Sequence, residues 1–200
     1  ADSAARMLKA WERRSPGTHG TRLHEMFVRY TLGDTAGMQR LLDTLQRSTD
    51  QTYRVWGKQG ATPVALLHGR LADADRLARE QVSLQPSTEA TRLEAAIRRA
   101  TVDAWFHGPS PRAVRALDTA LAAVPLQRIS VADRPYFDVA TAYAVAGAAD
   151  KAAAILAQYR RDVRDTSLLR LQAPSFHGAL GAVALARGDA RTAIDEFRRA

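Results

Sequence analysis

Four glycines recur at near-equal intervals and limit what this chain can fold into. Gly69, Gly108, Gly147 and Gly188 are separated by 39, 39 and 41 residues. Ala74, Ala113, Ala152 and Ala193 each stand five residues behind one of them. Pro86 and Pro125 follow the first two glycines by 17 residues. Gly33 lies 36 residues before Gly69 and marks a further unit, with Met38 in place of the Ala. A fixed period of this size signals stacked units, each burying its apolar face against the next.

The unit itself is clearest between Asp133 and Tyr159. Two apolar segments, 134–146 and 148–162, flank Gly147 and contain no breaker. Ala and Leu favour helix, and Tyr136, Val139, Ala140 and Tyr143 fall on one helical face. Asp133 is placed to cap the first helix, with Pro135 in the first turn, where no amide donor is needed. Gly147 suits the left-handed conformation that commonly closes a helix. The predicted unit is a pair of helices joined at a glycine.

These residues resemble the tetratricopeptide repeat family. Its first helix carries a Trp-x2-Leu-Gly-x2-Tyr pattern, and its second carries Ala-x3-Phe and a later Pro. Tyr136, Val139, Ala140 and Tyr143 occupy the first-helix places, and Ala152 and Leu156 the second-helix ones. Leu180, Gly181, Gly188, Ala193, Phe197 and Ala200 match in the last unit, where His177 replaces the Trp and Ala184 the Tyr. The likeness is strongest over 133–200 and weak before about residue 60. It implies an all-α fold: a right-handed α-solenoid of about five antiparallel helix pairs, tetratricopeptide-like. The chain 1–200 is then a single repeat domain, with units at about 18–48, 51–86, 87–125, 131–163 and 168–200. Residues 1–16 form an extra N-terminal helix.

Along the chain, residues 2–14 predict an amphipathic helix with Ala5, Leu8 and Trp11 facing inward. Pro16, Gly17 and Gly20 break it. Helices follow at about 21–32 and 35–48. Gly57, Gly60 and Pro63 interrupt the next pattern, and capping by Thr62 ahead of Pro63 predicts two short helices there. Leu71–Leu84, Thr88–Phe106 and 111–123 are further helices. Residues 163–173 are expected to form a long connection, with Pro174 starting or kinking the next helix. No strand pattern is present. The opening Ala-Asp-Ser lacks an initiator Met, and the chain stops inside a second helix at Phe197-Arg198-Arg199-Ala200. Both point to a fragment of a longer protein.

Composition narrows the function classes. No apolar run approaches the roughly 18 residues needed to span a bilayer, and no secretory leader opens the chain. The absence of Cys excludes disulfide and thiolate chemistry and fits a cytoplasmic setting. Net charge is +8, and 26 of the 29 cationic residues are Arg. Charge of this sign bears on association with anionic partners rather than on fold. The Arg are dispersed over nearly every helix and accompany no nucleic-acid motif, so nucleic acid is the weaker reading.

No constellation for catalysis stands out. His19 and His24 are five apart with no acidic residue at ligand spacing, so no metal site is expected. His68 and His107 each precede a turn glycine, where a His can meet the last helix carbonyls. Asp34, Asp73, Asp150 and Asp189 lie near the turns and are expected as caps rather than as a general acid–base pair. Gly57-x2-Gly60 lacks the strand and the Lys-Ser/Thr of a phosphate loop. No cofactor and no enzymatic activity are expected.

The resemblance also implies a binding surface. In the tetratricopeptide family the first helices of successive units line a concave groove for a peptide or partner domain. Carried onto this chain, the groove places are Phe27, Tyr30, Trp56, Gln59, Arg98, Trp105, Arg134, Phe137 and Thr141. Aromatics and Arg are enriched at the energetic centres of interfaces, and Arg98 and Arg134 are suited to a carboxylate or phosphate. The leading expectation is a non-catalytic protein-interaction module that presents this groove to a peptide or partner domain, with acidic groups on the partner as one option. A second is a regulatory or sensor region of a larger bacterial signalling protein, since the Arg/Ala-rich style resembles repeat regions attached to Ser/Thr kinases or winged-helix activators. An uncapped last helix pair predicts self-association near Ala193 and Phe197.

Overall fold

A computed structural model describes residues 2–14, 19–84 and 88–200. It is all-helical, with 83% of residues in helix and no strand among those described. Among the described residues eleven α-helices follow in order: α1 Asp2–Arg14, α2 His19–Thr31, α3 Thr35–Gln46, α4 Gln51–Leu67, α5 Leu71–Leu84, α6 Glu89–His107, α7 Pro111–Ala123, α8 Tyr136–Val145, α9 Ala149–Asp162, α10 Thr166–Ala186 and α11 Ala190–Phe197. The chain divides into two compact units, Ala1–Ser87 and Thr88–Ala200.

The five glycines lie where the pattern puts them. Gly33, Gly69, Gly108, Gly147 and Gly188 hold φ between 69° and 86°, and no other described residue has a positive φ. Each sits between the two helices of a pair: α2–α3, α4–α5, α6–α7, α8–α9 and α10–α11. A Cβ is strained in that region, which explains why the marker is glycine. The residue five places on is buried in every pair: Met38, Ala74, Ala113, Ala152 and Ala193. It is the point where the second helix meets the first.

In the first unit α2 packs on α3 and α4, α3 on α4, and α4 on α5, while α1 rests on α2. Met26, Met38, Leu42 and Val64 form one core, and Ala65, Ala74 and Leu77 another. In the second unit a single core runs from Leu93 on α6 to Val183 on α10. Here α8 is central. It touches α6, α7, α9 and α10, and Tyr136, Val139, Ala140, Ala142, Tyr143 and Ala144 are all buried along it. A helix that is apolar nearly all round belongs in such a place.

Polar clamps fasten the second unit from within. The Tyr143 hydroxyl donates to Asp118 Oδ1 at 2.8 Å, and Lys151 Nζ donates to the same carboxylate at 2.6 Å, tying α7 to α8 and α9. Tyr136 donates to Asp162 Oδ2 at 2.6 Å, and Arg134 Nη1 reaches that oxygen at 2.8 Å. Lys151, then Tyr143, holds the Asp118 carboxyl below the usual range. Tyr136 chiefly, with Gln158 and Arg134, does the same for Asp162. A carboxyl whose folded pKa is depressed stabilises the fold above its unfolded pKa of about 3.9, and that support is lost as pH falls through the folded value. The melting temperature of the second unit should therefore fall as pH drops below about 4. Asp118→Asn with Asp162→Asn should lower it at neutral pH and flatten its acid dependence; an unchanged slope would exclude these clamps.

Several expectations are corrected. Residues 51–67 form one helix, not two, and Pro63 lies inside it. Thr62 does not cap; its hydroxyl bonds back to the Lys58 carbonyl at 2.8 Å. Pro63 forfeits one amide bond, while Val55, Val64 and Ala65 gain burial, so packing outweighs the local breaker. The long connection at 163–173 is likewise absent. Asp165 accepts from the Ser167 and Leu168 amides, starting α10 at Thr166 and leaving Pro174 within it. Asp133 does not cap α8 but lies in a 3-10 turn, with Pro135 at the cap position. Asp34 and Asp189 do cap α3 and α11. Asp73 instead pairs with Arg70 and Arg76, and Asp150 with Arg187. Trp11 is not buried but packs an edge on His24 with part of its ring exposed. Gly20 does not break the chain but lies within α2. Pro16, Gly17 and Pro86 lie outside the described residues.

Candidate functional site

The second unit brings its three first helices together. α6 packs on α8 and α8 on α10, while α7, α9 and α11 pair with them. This juxtaposition makes one helical face out of three segments far apart in the chain. On it, Arg98 on α6 and Thr141 on α8 are half-buried. Trp105 on α6 is 62% exposed, a large apolar surface left in water. Such a ring is a candidate anchor for a partner.

Asp138 belongs to the same face and was missed in the sequence. It lies between Phe137 and Thr141 in helical register, but register alone does not tell such a carboxylate from a solvated one. The residue is open to water. Yet surrounding protein crowds its carboxyl and raises its pKa above the usual carboxylate range, while the charge of Arg98 acts in the opposite sense. The carboxyl is thus accessible to water and still closely surrounded by protein. Arg98 on α6 and Asp138 on α8 are a cation and an anion near enough to feel each other's charge.

Phe137 and Arg134 have other occupations. Phe137 meets Tyr159 edge-on at 4.8 Å and Phe176 at 6.4 Å, and Tyr159 stacks on Phe176 at 5.4 Å. This cluster joins α8, α9 and α10, so Phe137 is largely inter-helix packing. The Arg134 side chain is only 11% exposed. Its Nε donates to the Ile129 carbonyl at 2.9 Å, and its Nη1 to Tyr136 and Asp162. Its donors are committed to the fold rather than presented to a ligand.

The first unit holds the remaining four residues. Phe27 and Tyr30 on α2 are 52% and 46% exposed, and α2 packs directly on α4. On α4, Trp56 is half-buried and Gln59 exposed. At the other end of the chain Leu185, Ile194 and Phe197 are exposed on the last helix pair, while the Phe197 ring lies against Gly181 so closely that a Cβ there would meet it at 2.6 Å. His177 binds Glu196 through Nδ1 at 2.6 Å, linking α10 to α11. Among the described residues no three His, Asp or Glu are arranged to hold a metal. No helix among them is long and apolar enough to cross a membrane.

Set against protein-family models, curated proteins and solved structures, the chain matches none.

Proposed function

We propose that this chain is a non-catalytic protein-interaction module, tetratricopeptide-like, whose hairpins stack within each unit as turns of a right-handed solenoid. The observation that carries the reading is the packing of α6 on α8 and of α8 on α10, with Trp105 of α6 mostly exposed and Arg98 of α6 near enough for its charge to act on Asp138 of α8. The occupant is a peptide or partner domain with an apolar anchor for Trp105 and polar groups of both signs for the pair. A purely acidic partner fits less well, because Asp138 offsets Arg98 and Arg134 is bonded to Asp162. Nucleic acid fits less well too, since Arg29, Arg76, Arg79, Arg128 and Arg187 are each paired with carboxylates.

Peptides should be selected from a random library on the immobilised chain. Their affinity is then measured for the parent, for Trp105→Ala and for Arg98→Gln. Removing an anchor of this type should weaken binding at least about tenfold while helicity stays unchanged. Equal affinity in both variants would overturn the assignment of this face. For the last helix pair we propose pairing with a second copy through Ile194 and Phe197. Sedimentation should show a mass that rises with concentration and ceases to rise in Phe197→Asp; a constant mass in the parent would exclude it.

A further inference from the structure

We propose that the first unit holds a separate binding site for a small organic acid, a molecule with one carboxylate or phosphate head and an apolar body of several carbons. The site is a cleft of about 650 Å³ between α2 and α3, closed at one end by the start of α4. That volume lies in the range of clefts that take small molecules. Arg22, Arg29 and Arg40 line it against a single carboxylate, Glu25. Asp34, bonded to Arg29 and set against Gly37, offsets a second cation, so three cations and two anions leave the site with a net charge of +1.

The three guanidiniums are not equivalent. Arg29 is spent on the fold: Nη2 reaches Glu25 at 2.7 Å and Nη1 reaches Asp34 at 2.6 Å. Those two partners hold it above its ordinary pKa, Glu25 first. Arg22 shares Glu25 at 3.0 Å through one nitrogen and keeps its other donors. Arg40 lines the cleft and makes no ion pair at contact distance among the described residues, its charge acting on Asp34 only from farther off. It is therefore the group placed to grip an incoming anion, with Arg22 across from it. Paired donors of this kind suit carboxylate and phosphate alike. Leu41 supplies an apolar wall and Tyr53 closes the α4 end. Charge together with an apolar wall matches an amphiphilic acid better than an inorganic ion.

The cleft lies apart from the face that includes Phe27 and Tyr30. Residues 22, 25 and 29 fall on one stripe of α2, while 27 lies nearly opposite it and 30 roughly a third of a turn away. Ligands at the two surfaces need not compete.

Calorimetric titration with hexyl phosphate and hexanoate tests the proposal, using the parent chain, Arg40→Gln and the surface control Arg164→Gln. Inorganic phosphate and hexylamine serve as probes lacking the tail or the negative head. The expected result is saturable binding of at least one of the two acids, weakened about tenfold or more in Arg40→Gln and unchanged in Arg164→Gln. Whichever acid binds more tightly identifies the head. Absence of binding by both acids, equal binding of hexylamine, or equal weakening by the two substitutions would each overturn the site. Phosphate alone binding as tightly as hexyl phosphate would overturn the apolar half of it.

Discussion

Replacing Gly57 with Val should destabilise the first unit by at least about 2 kcal/mol, as overpacking costs roughly 1–3 kcal/mol and occasionally more. Gly57 lies buried in the middle of α4. A Cβ there would stand 2.7 Å from the Gln46 backbone nitrogen and 2.9 Å from the Leu45 Cβ. Both atoms belong to the end of α3, so the strain cannot be relieved by turning a flexible side chain. Propensity argues the other way, since Gly is about 1 kcal/mol worse than Ala inside a helix. Gly57→Ala sets the two effects against each other, and the backbone clash should win. Gly178, inside α10, is the counter-example. A Cβ there would find only the Ala200 Cβ at 3.8 Å, an ordinary contact. Gly178→Ala should raise stability by about 0.5–1 kcal/mol. Urea unfolding of the two variants checks both signs, and hydrogen exchange across α3 and α4 locates the first. A neutral or stabilising Gly57→Val would mean that α3 and α4 do not approach this closely.

The same residue shows where the sequence was legible. Gly33, Gly69, Gly108, Gly147 and Gly188 could be assigned to turns because the demand is local: a left-handed backbone excludes most side chains wherever it occurs. Gly57 and Gly60 look like breakers in the same local sense, yet both lie inside α4. Their demand is tertiary, a close approach of α4 to α3 at one and to Met26 and Leu42 at the other. Pro63 and Pro174 misled for a related reason. Each forfeits one hydrogen bond, and the apolar surface buried by an unbroken helix outweighs that local loss. Helix ends were legible where a single residue decides them, as at Leu71–Leu84 and Pro111–Ala123.

The candidate site was less legible than the hairpins. The family resemblance put Arg98, Trp105 and Thr141 on first helices, and α6 and α8, which carry them, pack together. Register could not show that Arg134 would be drawn to Asp162, 28 positions away. Nor could it show that Phe137 would stack among Tyr159 and Phe176. An aromatic or an Arg at a groove position has two competing uses, and the choice rests on neighbours supplied by another helix. Asp138 went unremarked because a lone carboxylate on a helix is ordinarily solvated; only its crowding beside Arg98 sets it apart.

Truncating Leu117 should have the largest effect in the second unit. Leu117 is fully enclosed on α7, in the core that also holds Leu93 and Ile97 of α6 and Tyr143 of α8. Leu117→Ala removes buried methyl groups and leaves a cavity, at a cost of about 2–5 kcal/mol. Domains are commonly stable by only about 5–15 kcal/mol, so the unit should approach its unfolding threshold near body temperature. Leu171→Ala, at a position 77% exposed on α10, should change stability by no more than about 0.5 kcal/mol. Denaturant unfolding followed by circular dichroism distinguishes the two. The pair also separates stability from recognition. Leu117 is buried and touches no ligand, so at low temperature, where the variant stays folded, a selected peptide should bind it as it binds the parent. As temperature rises, binding should fall together with the folded fraction. A binding loss at full helicity would mean that α7 positions α6 and α8 for the ligand, and that the face depends on its second helices as much as its first.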